Sequence, residues 1–224
     1  MANSITCVRA PLSIKKIQKI YDKLSLIYDF LTRYENEAQR KALLIINVEE
    51  GAKVLEVGFG TGKTLIELVQ NVAKNGSVYG IDISQEMVNK VKKKINQQKI
   101  SNCTNLVLGE AQNIPFSNSH FDIVFCSYML DLIDTPNIPH VLVEFKRVLK
   151  RRGRLVLVSM SKGLKWWDNM KIYEWLYRIF PSLLGGCRPI ITQPYLRELG
   201  FQILCSDFIH AGHLMPTEII LAQK

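Results

Sequence analysis

No stretch of the 224-residue chain approaches the roughly 20 consecutive apolar residues that a membrane-spanning helix needs, and the N-terminal segment lacks a secretory apolar core. Residues 1–21 carry Arg9, Lys15, Lys16 and Lys19 with no acid, which permits an organelle transit peptide, although an amphipathic helix is the simpler reading. A cytoplasmic protein is expected. Cysteines are scarce: Cys7, Cys103, Cys126, Cys187 and Cys205 are odd in number and scattered, so reduced thiols are expected rather than a disulfide framework. Among the four histidines, His210 and His213 share a helical spacing, but Phe208, Ile209, Ala211 and Gly212 around them read as strand and turn. No metal site is expected, and either histidine is a candidate to line a substrate pocket. The chain has no internal repeat, low-complexity tract or long Gly/Ser linker, so residues 1–224 read as one domain.

What the chain does have is a strand running into a glycine turn directly before a helix: Val54-Leu55-Glu56-Val57-Gly58-Phe59-Gly60-Thr61-Gly62. Val54, Leu55 and Val57 suit a parallel strand covered on both faces. The glycines let the backbone turn sharply and approach a ligand. From Lys63 to Asn75, apolar residues recur at helical spacing, with Asn75-Gly76 as the stop.

Three ligand classes use such a corner. A dinucleotide fingerprint needs a third glycine at 63, where Lys63 stands, and a phosphate-binding loop ending in Gly62-Lys63-Thr64 needs a glycine at 57, where Val57 stands. Glu56 also repels a polyphosphate while attracting a ligand that bears sulfonium and ammonium groups. Glu56-Val57-Gly58-Phe59-Gly60-Thr61-Gly62 resembles, at every position, the adenosylmethionine corner of class I methyltransferases.

Further features extend the resemblance. Asp82 ends the next strand, Ser77 to Ile83, about 20 residues beyond the turn, where an α/β unit presents a carboxylate to ribose hydroxyls. Ser84 reads as the N-cap of a helix that buries Met87, Val88, Val91 and Ile95 and turns Lys90, Lys92, Lys93 and Lys94 to water. Leu106 to Gly109 is a third strand, followed by Glu110-Ala111 at the family position bordering the adenine. Ile114 to Cys126 resembles the phrase these enzymes carry through their fourth strand. Val141 to Leu149 has helical spacing, Arg151-Arg152-Gly153 turns where the family has Pro-Gly-Gly, and Leu155 to Val158 is a fifth strand. Tyr21-Asp22 and Tyr28-Asp29 resemble phrases ahead of the core in ubiquinone/menaquinone-type and phospholipid-type methyltransferases. There a tyrosine closes over the cofactor, and Tyr28 is the first candidate, Tyr21 the second. The resemblance implies S-adenosyl-L-methionine as cofactor, held by Tyr28, Glu56, Gly58, Phe59, Gly60, Gly62, Asp82, Ile83, Met87, Glu110, Ala111 and Cys126.

Alternating strands and helices from about residue 52 to 160 imply a parallel sheet with right-handed crossovers. With Phe201 to Phe208 and Met215 to Ala222 as final strands, the expected fold is α/β, a doubly wound, mostly parallel seven-stranded sheet with an antiparallel C-terminal strand. The expected parts are an N-terminal helical cap (1–50), a cofactor-binding core (51–160), an aromatic helical insertion (161–198) and C-terminal strands (199–224). The insertion holds all three tryptophans, Trp166, Trp167 and Trp175, beside Lys162, Lys165, Lys171 and Arg178. With a net charge of +9, it suits a lipophilic or amphipathic acceptor, quinone-like or phospholipid-like, and contact with an anionic membrane surface. A packed helix accounts for the same aromatics.

The expected chemistry is in-line methyl transfer, with Asp131 and His210 as candidate bases. Cys126-Ser127-Tyr128-Met129 replaces the Asn/Asp-Pro-Pro-aromatic motif of nucleic-acid amino-methyltransferases, which disfavours a base amine. RNA methylation at another atom is the alternative within enzymes. A non-catalytic methyltransferase-like or nucleotide-binding scaffold is the alternative outside them.

Overall fold

The computed structural model describes residues 7, 9–10, 12–24, 35–73, 75–100, 103–162, 167–181, 186–211 and 215–224. Among the described residues, two helices, α1 (Ile14–Leu24) and α2 (Glu35–Ile46), precede the sheet. Then follow β1 (Lys53–Val57), α3 (Lys63–Val72), β2 (Ser77–Asp82), α4 (Gln85–Gln98), β3 (Thr104–Leu108), β4 (Phe121–Ser127), α5 (Ile138–Val148) and β5 (Leu149–Met160). The chain ends with α6 (Trp167–Ile179), α7 (Gln193–Glu198), β6 (Gln202–Ala211) and β7 (Met215–Gln223).

The strands form one seven-stranded sheet in the order β3-β2-β1-β4-β5-β7-β6. Neighbours from β3 to β5 pair in parallel, and β7 runs antiparallel to both β5 and β6. The order reverses beside β1, and in an open α/β sheet the crevice outside the carboxyl ends at such a switch point is where ligands bind. Because side chains alternate along a strand, each face carries its own core. Val54, Val78, Ile123 and Val156 pack against α2, α3 and α4, whereas Leu55, Val124 and Leu157 pack against α5 and α7.

Several boundaries shift by a few residues from the expectation, and two of the shifts have a visible cause or consequence. Helix α3 stops at Val72, three residues early, because the Gly51 amide takes the Val72 carbonyl at 3.0 Å and Ala73 turns to a φ of +55°. Residues 150–153 belong to β5 rather than forming a separate turn, yet they stand out of register with β4: Phe121 pairs with Leu149, and Ile123 with Arg154.

Much of the basic run from Lys146 to Arg154 is held internally. Arg147 clamps the loop before β4 by donating to the carbonyls of Ile114 and Phe116, Lys150 pairs with Asp122 at 2.7 Å, and Arg154 donates to the Ile46 carbonyl. Tyr79 and Phe121 meet Phe116, His120 and each other edge to face beside that loop, while Phe116 and His120 lie nearly parallel. The phrase preceding β4 is therefore a structural fastening. Among the described residues, no helix is long and apolar enough to cross a membrane.

Candidate active site

A cleft opens at the carboxyl ends of β1, β2 and β4, where an open α/β sheet places its ligands. Its apolar wall includes Val57, Ile81, Ile83, Met129, Leu132 and Ile133, and its ionisable residues are Asp82, Glu110 and Tyr21 and Tyr128. Among the described residues, no lysine or arginine lines it. A polyphosphate would meet two acids and no cation here, whereas a cationic ligand meets complementary charge.

The glycine corner is built by close approach. Gly60 lines the cleft with a φ of +52°, a conformation that side chains disfavour, and its amide donates to Asp82 Oδ2 at 2.9 Å. Gly62, at φ +77°, answers to packing instead, since a Cβ there would lie 2.6 Å from Val91 Cγ2 of α4. Lys94 of the same helix donates to the Thr61 carbonyl at 2.9 Å and ties the loop down, so it is not simply part of a solvated face.

Asp82 Oδ1 accepts from the Ser84 amide at 2.9 Å. Burial pushes the Asp82 carboxyl up to about 6 against the pull of its backbone amides. Burial, with Asp82 nearby, also raises Glu56 well above the usual range, and Glu56 Oε2 has no hydrogen-bond partner. A buried carboxyl without a partner at the end of β1 is a group that a cationic ligand nearby would stabilise in its ionised form.

A lid covers the corner. Ser84 caps α4 by accepting from the Met87 amide, and its hydroxyl donates to Asp22 at 2.5 Å, fastening α1 over the cleft so that Ile14, Ile17 and Tyr21 line it. At the end of β4, Tyr128 adopts a φ of +51°, rare for a bulky residue, and its hydroxyl meets Thr217 Oγ1 of β7 at 2.9 Å.

Of the residues predicted from the sequence to hold the cofactor, Gly58, Gly60, Asp82, Ile83, Glu110 and Ala111 line the cleft. Glu56, Phe59, Gly62, Met87 and Cys126 stand behind it, with Phe59 and Met87 in one core and Cys126 in the other. Tyr28 lies outside the described residues, as do Trp166 and His213. Tyr21, the second choice for the lid tyrosine, lines the cleft, with its hydroxyl 3.9 Å from Cys187 Sγ. Asp131 is fully buried behind the wall, accepting from the Met160 amide at 2.8 Å. His210 is exposed on β6, opposite Pro216. Sequence reasoning missed the wall residues Met129, Leu132 and Ile133, and their place just beyond the carboxyl end of β4 was the available signal.

Comparison with known proteins agrees with this geometry. Residues 54–153 match the methyltransferase domain family. Demethylmenaquinone methyltransferase of Geobacillus sp. strain WCH70 is 32% identical over 175 residues, 76% of this chain and 70% of that protein. The ubiquinone/menaquinone biosynthesis C-methyltransferase UbiE of Geotalea uraniireducens is 30% identical over 172 residues, 74% of this chain and 70% of that one. The chain belongs to the class I adenosylmethionine-dependent methyltransferases of UbiE type. The crystal structure of the 4+2 cyclase SpnF, 18% identical, matches with a TM-score of 0.74 over 97% of this chain and 98% of that one. That likeness shows the fold alone, since one fold hosts many chemistries.

The residues of this UbiE-type chain fit adenosylmethionine. Gly60 leaves room for close backbone approach, Asp82 and Glu110 line the cleft, and Glu56 keeps an unpartnered buried oxygen.

Proposed function

We propose that the protein methylates a carbon of a small lipophilic, quinol-like acceptor. The observation that carries this reading is a cleft whose described lining has two acids, no lysine or arginine and a largely apolar wall, in a chain whose relatives are named as demethylmenaquinone and ubiquinone/menaquinone methyltransferases. When bound, adenosylmethionine supplies a methyl group on a sulfonium that leaves as a neutral thioether. The chain's own part is positioning. Asp82 and Gly60 are candidates to hold the nucleoside part, Glu110 and Ala111 to border the adenine, and Glu56 to offset positive charge. Tyr21 and the apolar face of α1 exclude water from above. Such alignment can lower a barrier by about 7–11 kcal/mol, so an acceptor that arrives as an ionised enol needs no strong base on the protein.

Peripheral contact with an anionic bilayer belongs to the same reading. Trp175, Leu176 and Ile179 are exposed on α6 and Phe180 directly after it, with exposed Arg178 among them, while Tyr177 is buried with its hydroxyl donating to the Gly186 carbonyl at 3.1 Å.

The test is transfer of label from methyl-labelled adenosylmethionine into a lipid extract, compared with aqueous metabolites and RNA. Label in the quinone fraction is expected. Label confined to water-soluble products or RNA would reject a lipophilic acceptor, and calorimetric preference for ATP over adenosylmethionine would remove methyl transfer itself.

A further inference from the structure

Arg188 heads the described side chains, ranked by volume, that are fully withdrawn from solvent. A guanidinium stays charged at every pH a folded protein meets and offers five N–H donors. Here Nη2 donates to the Ile133 carbonyl, while Nε and Nη1 have no partner. Asp131, whose field reaches Arg188, is equally buried and also leaves one oxygen, Oδ1, without a partner. Burial holds the Asp131 carboxyl up at about 8, so near neutrality it is largely protonated and does not cancel the arginine's charge.

Two further buried hydroxyls without partners, those of Ser159 and Thr192, belong to the segments that meet here. Met160 joins them, since its amide donates to Asp131 and its carbonyl accepts from Ile190 at 2.9 Å. Buried polar groups are nearly always hydrogen-bonded, and an unpaired buried charge is strongly destabilising. Two donors left over on one guanidinium and an oxygen left over on the carboxyl whose field it shares are groups that a bound oxyanion would satisfy.

Its position fits an acceptor. Because β4 and β5 run parallel, the end of β5 at Met160 lies on the same side of the sheet as Ser127, Tyr128 and Met129 of the cleft. Ile133 is the joint: it lines the cleft and its carbonyl holds Arg188. The cleft itself is acidic and repels an anion, so an anionic group of a second ligand needs a cation elsewhere.

We propose that Arg188, with Asp131 beside it, is an oxyanion subsite behind the Leu132–Ile133 wall, selecting acceptors that carry an anionic oxygen, an ionised enol or a carboxylate, over neutral analogues. The role as an acceptor subsite rests on the methyltransferase reading; the affinity for an anion does not. The donor's positive charge and the acceptor's negative charge then occupy separate, oppositely charged halves of one site.

The probes are 2,4-dinitro-1-naphtholate, an enolate-type oxyanion, 1-naphthoate, a carboxylate, and 1-methoxynaphthalene, a neutral ring, each titrated by calorimetry into protein saturated with S-adenosylhomocysteine. At least one anion is expected to bind about tenfold or more tightly than the neutral ring. R188M should lose that preference and R188K keep part of it. S-adenosylhomocysteine affinity should be unchanged in both, and R188M should melt no lower than the natural protein, because methionine removes an unpaired buried charge. A merely structural arginine would give the opposite pattern, a lower melting temperature with the anion preference intact. That pattern, equal affinities for the three probes, or no anion binding at all overturns the proposal. The stronger anion tells enol from carboxylate. Anion preference without methyl transfer to any acceptor would reject the methyltransferase reading and leave the subsite standing, whereas transfer with an undiminished rate in R188M would do the reverse.

Discussion

The two ends of the site are built in opposite ways. At the glycine corner the polar groups, Glu56 apart, are satisfied largely by backbone amides of the two adjoining strand ends: Asp82 takes amides from Gly60 and Ser84, and Ser84 caps the helix that follows it. At the end of β5 the polar groups come from segments 131, 159 and 188–192, and several of their atoms have no partner. The contrast teaches where each ligand's selectivity resides. The corner is preorganised and needs a ligand only to complete Glu56, whereas the other end is held in an unfavourable state that a ligand would relieve.

Breaking the corner should have the largest effect. Gly60→Val places a branched side chain in the cleft at a φ of +52° and is expected to abolish measurable adenosylmethionine binding in calorimetry. Asp82→Ala removes a carboxylate that two amides organise and should weaken binding by about 1.5–3 kcal/mol, roughly ten- to a hundredfold. Unchanged affinity in both would erase the distinction between the two ends.

Asp131 probes the other end. Its carboxyl ionises near 3.8 when unfolded and at about 8 when folded, so between those values the folded protein holds the extra proton. Stability is therefore greatest below the window and falls as pH rises through it, by about 1.4 kcal/mol per pH unit for one full proton. Glu56 and Asp82, also raised, act in the same direction. Asp131→Asn should flatten the decline in denaturant titrations between pH 5 and 8 without altering adenosylmethionine affinity, and an unchanged slope would count against a buried, protonated carboxyl. The smallest change expected is for Lys94→Met, which loses the tie to the Thr61 carbonyl. A loss of about 0.5–1.5 kcal/mol in cofactor affinity would show that the loop is held from outside the turn, and none would show that the glycines suffice.

The same contrast explains what could be read in advance. The strand order and the corner follow from short-range patterns: apolar strands, glycines and Asp82 about 20 residues on. By charge alone the basic residues Lys146, Arg147, Lys150, Arg151, Arg152 and Arg154 suggest a modest bias toward anionic partners, because sequence cannot show that Arg147, Lys150 and Arg154 are engaged internally. Phe59 and Gly62 share a motif with Gly60 but serve packing, a division that depends on Gly80 and Val91 across the fold. Arg188 gave no signal at all, since its burial depends on Asp131, Ile133 and Tyr177 coming together from distant parts of the chain.

The bond from Tyr128 to Thr217 spans 89 residues and joins the floor of the cleft to strand β7, which slots between β5 and β6. On a growing polypeptide, β7 emerges after every other strand described, so the parallel half of the sheet can exist before this floor is anchored. Ligand-binding competence would then lag behind secondary structure during synthesis, and opening of the β6–β7 hairpin in the finished molecule would loosen Tyr128 while sparing Asp82 and the glycine turn.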